Sequence, residues 1–265
     1  MGLFPTRWQF FAVRRSAAGS GDRAVFIHAG CVQPAMSPTI DAAAGEVLRH
    51  AGYAPAPLAG CCGALAHHLG DHQEAKRLAR RNLQRWLPAL EGRDAQLVVN
   101  ASGCLAMLRD YPKLFADEPA LREQAEQLLR RLSDPADLIE ADALPTLTPG
   151  GVTVASHAPC TRKHLFGDDD RPRRVLETLG YDVQPDRSGI ACCGSAGTYS
   201  LLQPALSAGI REKKLAGLEG EGVTAIATAN VGCLHHLEAA SDVPVRHWVE
   251  LAAEALARDQ ERPGA

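Results

Sequence analysis

One cysteine, an adjacent pair and a further single cysteine occur in that order twice: Cys31, Cys61-Cys62, Cys104, and again Cys160, Cys192-Cys193, Cys233. The single cysteines recur 129 residues later and the pair 131 residues later, so the register holds to within two residues. Self-similarity over such a span marks an internal duplication and constrains the fold more than any local motif. The neighbours repeat as well. His28-Ala29-Gly30-Cys31 parallels His157-Ala158-Pro159-Cys160, Gly63 and Gly194 each follow a pair, and Gly103 and Gly232 each precede the last cysteine. All eight cysteines belong to the pattern.

Composition narrows what the repeated cysteines do. Eight cysteines in 265 residues fall far below the roughly 8% that marks a disulfide-built secreted domain, and the length alone supplies a sizeable core. With 28 basic and 31 acidic residues the net charge is −3, which leaves no surplus for counterion-driven nucleic-acid binding. No apolar run approaches the roughly 20 residues of a membrane helix, and the chain reads as soluble. Residues 1–21 contain Arg7, Arg14 and Arg15 but no acid, with Trp8, Phe10 and Phe11 ahead of the arginine pair. A secretory signal has the reverse order, so this stretch is read as a loose extension or linker remnant; organellar transit and myristoylation patterns fit it weakly.

The Pro- and Thr-rich stretch 144–151 is the expected linker, separating a first module at 22–143 from a second at 152–258, with 259–265 as a loose tail. Four short β-branched runs read as buried parallel strands: Ala24 to Ile27, Leu97 to Val99, Val152 to Ala155 and Ala225 to Thr228. Each ends a few residues before a cysteine. Helical periodicity follows the cysteines. Leu65, Leu69, Leu78, Leu83, Trp86, Leu87 and Leu90 are expected on one face of a long helix, with Lys76, Arg77, Arg80, Arg81 and Arg85 on a solvated face. Pro204 reads as the first residue of a helix carrying Leu206, Ile210, Leu215 and Leu218. The expected fold is α/β: two similar modules, each a small, mostly parallel sheet flanked by helices.

In open parallel sheets ligands bind beyond the carboxyl ends of the strands, where the single cysteines lie. The pairs stand just before helices, whose free N–H groups favour thiolates. Gly63, Gly103, Gly194 and Gly232 would let the backbone approach a bulky group. Four thiolates per half suit a soft metal site. Zinc sites show short C-x2-4-C spacings that are missing here, and a polynuclear cluster offers separate irons to adjacent sulfurs, so iron-sulfur is favoured over zinc, buried structural thiols or disulfides. His28 and His157 read either as strand-end packing or as groups that tune a cluster. The pairs His67-His68 and His235-His236 read as helix-surface residues or ligands, and Ser195, Thr198 and Tyr199 as a helix-entry turn or donors to cluster sulfur. No dinucleotide or P-loop motif is present.

The duplicated order Cys, Cys-Cys-Gly, Gly-Cys resembles the cysteine-rich CCG domain of heterodisulfide reductases, lactate-utilisation proteins and, most fully, glycolate oxidase iron-sulfur subunits. The likeness is carried by Gly30-Cys-Val-Gln-Pro-Ala-Met-Ser-Pro38, Ala59-Gly-Cys-Cys-Gly-Ala64, Ala101-Ser-Gly-Cys104, His157-Ala-Pro-Cys-Thr161, Cys192-Cys-Gly-Ser-Ala-Gly-Thr-Tyr199, Thr228-Ala-Asn-Val-Gly-Cys233 and Val245-Arg-His-Trp-Val249. It implies one iron-sulfur cluster per module, of the [4Fe-4S] type, held by Cys31, Cys61, Cys62 and Cys104 and by Cys160, Cys192, Cys193 and Cys233. It also implies an electron-transfer subunit of a 2-hydroxy-acid oxidase or dehydrogenase, with flavin-containing partner subunits, a quinone or other acceptor, and a cytoplasmic location, peripheral at the inner membrane through partners.

Two departures qualify the likeness. Complete motifs of this kind end in C-x-x-C and hold a five-thiolate non-cubane cluster, whereas Ala101 and Asn230 stand at the first position of that ending. The family's subunit also carries a ferredoxin-like domain with two C-x2-C-x2-C-x3-C-P runs, so the chain is expected to match the later part of such a subunit. A rival reading is a thiol-disulfide enzyme like heterodisulfide reductase. A further one is a zinc-binding or metal-free scaffold, a truncated paralogue.

Overall fold

In the computed structural model, residues 23–139, 144–147, 150–165, 167 and 170–260 are described; the expected extension at 1–21 and most of the tail at 259–265 lie outside them. The first module runs β1 (Arg23–Ala29), α1 (Gln33–Met36), α2 (Thr39–His50), β2 (Tyr53–Ala59), α3 (Ala64–His68), α4 (His72–Glu91), β3 (Gln96–Val98), α5 (Ser102–Arg109), α6 (Tyr111–Leu114), α7 (Pro119–Leu129), β4 (Leu132–Ser133) and α8 (Pro135–Leu138). The second runs β5 (Thr153–His157), α9 (Cys160–Leu165), α10 (Arg171–Thr178), β6 (Asp182–Pro185), α11 (Tyr199–Leu202), α12 (Pro204–Leu218), β7 (Val223–Thr228), α13 (Val231–Glu238), β8 (Val245–His247) and α14 (Trp248–Gln260).

Each module is a four-stranded, all-parallel sheet, in the orders β2-β1-β3-β4 and β6-β5-β7-β8. The four strands legible as β-branched runs are the two central ones of each sheet, buried on both faces as such runs require. The order places a topological switch point between β1 and β3, and again between β5 and β7, where the chain leaves toward opposite sides and a crevice opens.

The contacts between modules are reciprocal. Helix α2 packs on α14 and α10 packs on α8, the same pair of elements with the modules exchanged. Likewise α5 rests on α9, while Ser37, at the end of α1, bonds His235 of α13 (Oγ to Nε2, 2.9 Å). One apolar core runs through this interface, joining Ile40, Val47 and Leu48 of α2 to Leu251, Ala252 and Ala255 of α14 and on to Val154 and Ile226. A second core, with Leu83, Trp86, Leu90, Leu105 and Phe115, fills the other face of the first sheet. Each fully buried leucine or isoleucine there contributes about 1.5–3 kcal/mol.

The expected long helix after the first cysteine pair is two helices. Gly70 takes a left-handed conformation (φ +85°), and Asp71 starts α4 by accepting from the Glu74 N–H (3.0 Å). Leu65 and Leu69 consequently lie outside the apolar face of α4 and are 51% and 59% exposed. The basic face is as expected: Arg81 and Arg85 are exposed, and Arg77 and Arg80 pair with Glu74 and Glu118 (each 2.6 Å). Pro204 opens α12, but Leu206 is exposed.

Candidate metal centre

Cys31 follows β1 and Cys104 lies in α5 after β3, so both flank the switch point, and Cys61-Cys62 follow the neighbouring strand β2. The fold brings these four together. Cys31 and Cys61 approach to 3.3 Å between sulfurs, and Cys62 and Cys104 also to 3.3 Å. The adjacent pair thus faces two different partners. In the second module Cys160 opens α9, Cys192-Cys193 follow β6 and Cys233 lies in α13. There the Cys160 thiol meets Cys192, and Cys193 meets both Cys192 and Cys233.

Backbone N–H groups point at these sulfurs. Gly63 and Ala64 donate toward Cys61 and Cys62, Thr161 and Ser195 toward Cys160 and Cys193, and Gly194 N–H donates to Cys192 Sγ at 3.3 Å. Gly63 (φ +86°) and Gly194 (φ +99°) are left-handed, which turns each chain from the pair into the following helical segment. Gly103 and Gly232 sit in the first turns of α5 and α13, beside the cysteines that close the sets.

The electrostatics decide what such a cluster of thiols suits. Hydrogen bonds to a neighbouring thiol, followed by burial, push Cys61 up; the Cys104 thiol does the same to Cys62, and Cys192 to Cys160 and Cys193. Cys31, exposed as a residue, is raised by partial desolvation of its sulfur and then by the Cys61 thiol beside it. Cys192 is lowered, because Cys160, Cys193 and the Gly194 N–H all donate to it. Crowded thiols cannot all ionise without a cationic group among them, and metal binding supplies that charge while releasing the protons. Soft sulfur donors in this number, with amide N–H groups aimed at them, fit an iron-sulfur group.

Residues that the spacing does not disclose hold the Cys-Cys loops. In the first module Asn82 Nδ2 donates to the Cys61 carbonyl (2.7 Å) and to Tyr111 Oη (2.9 Å), Tyr111 Oη donates to the Cys62 carbonyl (2.9 Å), and Trp86 Nε1 donates to the Ala59 carbonyl (3.2 Å). In the second, Ser207 Oγ donates to the Gly194 carbonyl (2.9 Å), and buried Lys214 reaches Asp186 (2.5 Å) and the Ile190 carbonyl. The one hint in the sequence is Asn82, a polar residue on the apolar face of α4.

Among the other candidates, His28 is buried, lies 5.4 Å edge-on to Trp86 and donates from Nε2 to the Gly60 carbonyl (2.8 Å); burial lowers its pKa to about 4. His157 is also buried and lowered to about 4 by burial. Its Nδ1 meets Thr228 Oγ1 at 2.9 Å, and one of its ring nitrogens lies within 4.8 Å of the sulfurs of Cys193 and Cys233. The surface pairs separate: His67 meets His72 (3.3 Å), His235 meets Ser37 and His236 meets Ser207 (3.1 Å). Ser195 lies against Gly232, Thr198 stands just before α11 without a side-chain bond to its first turn, and Tyr199 begins the helix. Asn230, at the position of the missing cysteine, donates Nδ2 to Cys233 Sγ (3.4 Å); Ala101 offers no such group. The two centres share a wall. Ser102 N–H donates to the Ala229 carbonyl (3.4 Å), and Thr161 Oγ1 donates to Ser102 Oγ (2.7 Å).

A duplicated, all-parallel α/β fold with a set of four cysteines gathered at the strand ends of each half defines a cysteine-rich domain protein of the CCG type. The chain belongs to that family: the CCG cysteine-rich domain model matches residues 25–109 and again 154–238. The chain is 35% identical to the glycolate oxidase iron-sulfur subunit of Escherichia coli (strain K12), over 89% of this chain and 59% of that protein. It is 31% identical to the probable glycolate oxidase iron-sulfur subunit of Bacillus subtilis (strain 168), over 82% of this chain and 49% of the relative. It is also similar to lactate utilization protein A of Exiguobacterium sp. (strain ATCC BAA-1283 / AT1b), 28% identical over 85% and 95% of the two chains. This chain thus spans half to three-fifths of the length of the two glycolate oxidase subunits it matches.

Proposed function

We propose that this chain is an iron-sulfur electron-transfer unit of a complex that oxidises glycolate or a similar 2-hydroxy acid. The observation that carries the reading is the gathering of four thiols, with backbone N–H groups aimed at them, at the ligand crevice of each module. Cys31, Cys61, Cys62 and Cys104 would hold one [4Fe-4S] group, and Cys160, Cys192, Cys193 and Cys233 a second. When bound, such a group accepts and releases electrons one at a time. The chain's own part is positional. Asn82 and Tyr111 fix the first Cys-Cys loop and Lys214 and Ser207 the second, and the N–H groups of Gly63, Ala64, Gly194 and Ser195 offset thiolate charge. Burial of Cys62, Cys193 and Cys233 keeps water from one side of each centre.

The partners that suit this role are a flavin-containing subunit that takes electrons from the hydroxy acid and a quinone or other acceptor, with a ferredoxin-like domain or chain between them. Among the described residues no helix is long and apolar enough to cross a membrane, so attachment to the cytoplasmic face of the inner membrane would run through partners.

Anaerobic purification, iron and sulfide analysis and EPR test the reading. Brown protein with iron and acid-labile sulfide in equal amounts and a reduced-state EPR signal is expected. Colourless protein free of sulfide, or protein loaded with zinc alone, overturns it. One observation favours a second reading: Cys31 is exposed, so the first centre is open to a disulfide substrate. Turnover of disulfides by the iron-loaded chain with a reduced dye and no flavoprotein would replace the carrier by a thiol-disulfide enzyme.

A further inference from the structure

The two modules repeat their cysteines but not their histidine chemistry. His28 and His157 stand at the same position, three residues before the first cysteine of each set. His28 spends its Nε2 proton on the Gly60 carbonyl at 2.8 Å. In the second module that bond is not repeated. His157, 2% exposed, engages Nδ1 with Thr228 Oγ1 at 2.9 Å, and its buried Nε2 has no hydrogen-bond partner among the described residues. A buried, unpaired ring nitrogen calls for an explanation, because leaving such a group unsatisfied costs roughly 1–3 kcal/mol. The ring lies against the second centre: a ring nitrogen and the sulfurs of Cys193 and Cys233 are all within 4.8 Å of one another. The tautomer in which Nδ1 accepts from the Thr228 hydroxyl leaves the proton on Nε2.

Resting on the iron-sulfur reading above, we propose that His157 donates its Nε2 proton in a hydrogen bond to the Cys193 or Cys233 thiolate of the loaded second centre, and so raises that centre's reduction potential. A donor to a thiolate sulfur stabilises the more negative, reduced state, and hydrogen bonds to the sulfurs are among the levers that set these potentials. Asn230 Nδ2, which already donates to Cys233 Sγ at 3.4 Å, acts in the same sense. In the first module His28 is committed to backbone and Ala101 replaces Asn230, so neither donor is present there. The duplication has therefore produced two centres tuned differently.

The test uses the iron-loaded chain and its His157→Leu and His157→Gln variants, with iron and sulfide analysis, circular dichroism, EPR-monitored redox titration and ENDOR after exchange into deuterated water. The expected result for His157→Leu is wild-type iron content and a shift of one of the two centres to lower potential. That shift corresponds to about a tenfold smaller equilibrium constant for reduction, 59 mV for one electron, and an exchangeable proton coupling disappears with it. His157→Gln, which keeps an N–H donor, recovers part of the shift. Unchanged potentials and coupling in loaded His157→Leu overturn the proposal; Nε2 would then be served by solvent in the cavity of about 10 Å³ lined by Ser156, Thr228 and Trp248. Loss of iron from one centre, with secondary structure intact in His157→Gln, also overturns it and makes His157 a ligand. A wild-type chain that takes up no iron and sulfide removes the functional reading as well, which separates the two failures.

Discussion

Gly63 and Gly194 hold equivalent places after the cysteine pairs, yet their surroundings differ. A methyl group on Gly63 (φ +86°) would meet the Ala75 carbonyl at 3.4 Å, an ordinary contact, so Gly63→Ala carries the left-handed penalty of about 1–2 kcal/mol alone. On Gly194 (φ +99°) it would lie 2.6 Å from the Ser207 carbonyl and 2.9 Å from His236 Nε2. Neither the backbone carbonyl nor the hydrogen-bonded ring yields easily, and overpacking adds about 1–3 kcal/mol. Urea denaturation of the two variants should therefore show Gly194→Ala as clearly the less stable; equal midpoints would contradict the geometry. At this scale the cysteines were legible because a duplicated spacing repeats itself in one chain. The loop clamps Asn82, Tyr111, Ser207 and Lys214 were not, since each acts across a separation of 13 to 49 residues and only the folded backbone brings the partners together.

Among the elements, the central strands announced themselves by β-branched apolar runs, and the edge strands did not. Strand β2 reads Tyr-Ala-Pro-Ala-Pro-Leu-Ala, and two prolines in seven residues argue against a strand until its place at the sheet edge is known. Pro55 and Pro57 occupy alternate positions and so remove donors from one side of the strand only, which a strand with a single neighbour can accommodate. The α3–α4 break was hidden by a different cause. The leucine spacing continues through Gly70-Asp71, but a left-handed glycine followed by a capping aspartate ends one helix and begins another. Because Asp71 supplies the side-chain cap of the twenty-residue α4, Asp71→Ala should lower stability by about 1 kcal/mol. Asp71→Asn or Asp71→Ser should restore most of it. Equal urea midpoints for all of these would show that the cap contributes nothing.

For the whole molecule the duplication predicts two modules, and the structure adds that they share one core through α2 and α14. The polar seam follows the same reciprocity. At the end of the last strand of each module stands a residue that bonds the other module: Asp134, just after β4, pairs with Arg162, and His247 of β8 donates from Nε2 to the Asn100 carbonyl (3.1 Å). His247 also accepts the Val249 N–H at Nδ1 (3.4 Å), a bond it can make only as the neutral ring. Burial lowers its pKa from 6.5 to about 4, with Glu250 raising it and Arg162 lowering it as nearby charges. The sign of the consequence is fixed by linkage. Between pH 6.5 and 4 the unfolded chain binds a proton at this site that the folded chain refuses, so stability is full above 6.5 and falls as pH drops through this window. The limit for one such group is about 3 kcal/mol, and His28, lowered for the same reason, adds to it in the same direction. His247→Gln keeps a neutral donor for Asn100 but cannot titrate. Urea midpoints measured from pH 7.5 to 4.5 should therefore fall less steeply for this variant than for the parent chain. Parallel slopes would mean that the folded chain does not hold His247 neutral in this window and that the acid sensitivity arises elsewhere.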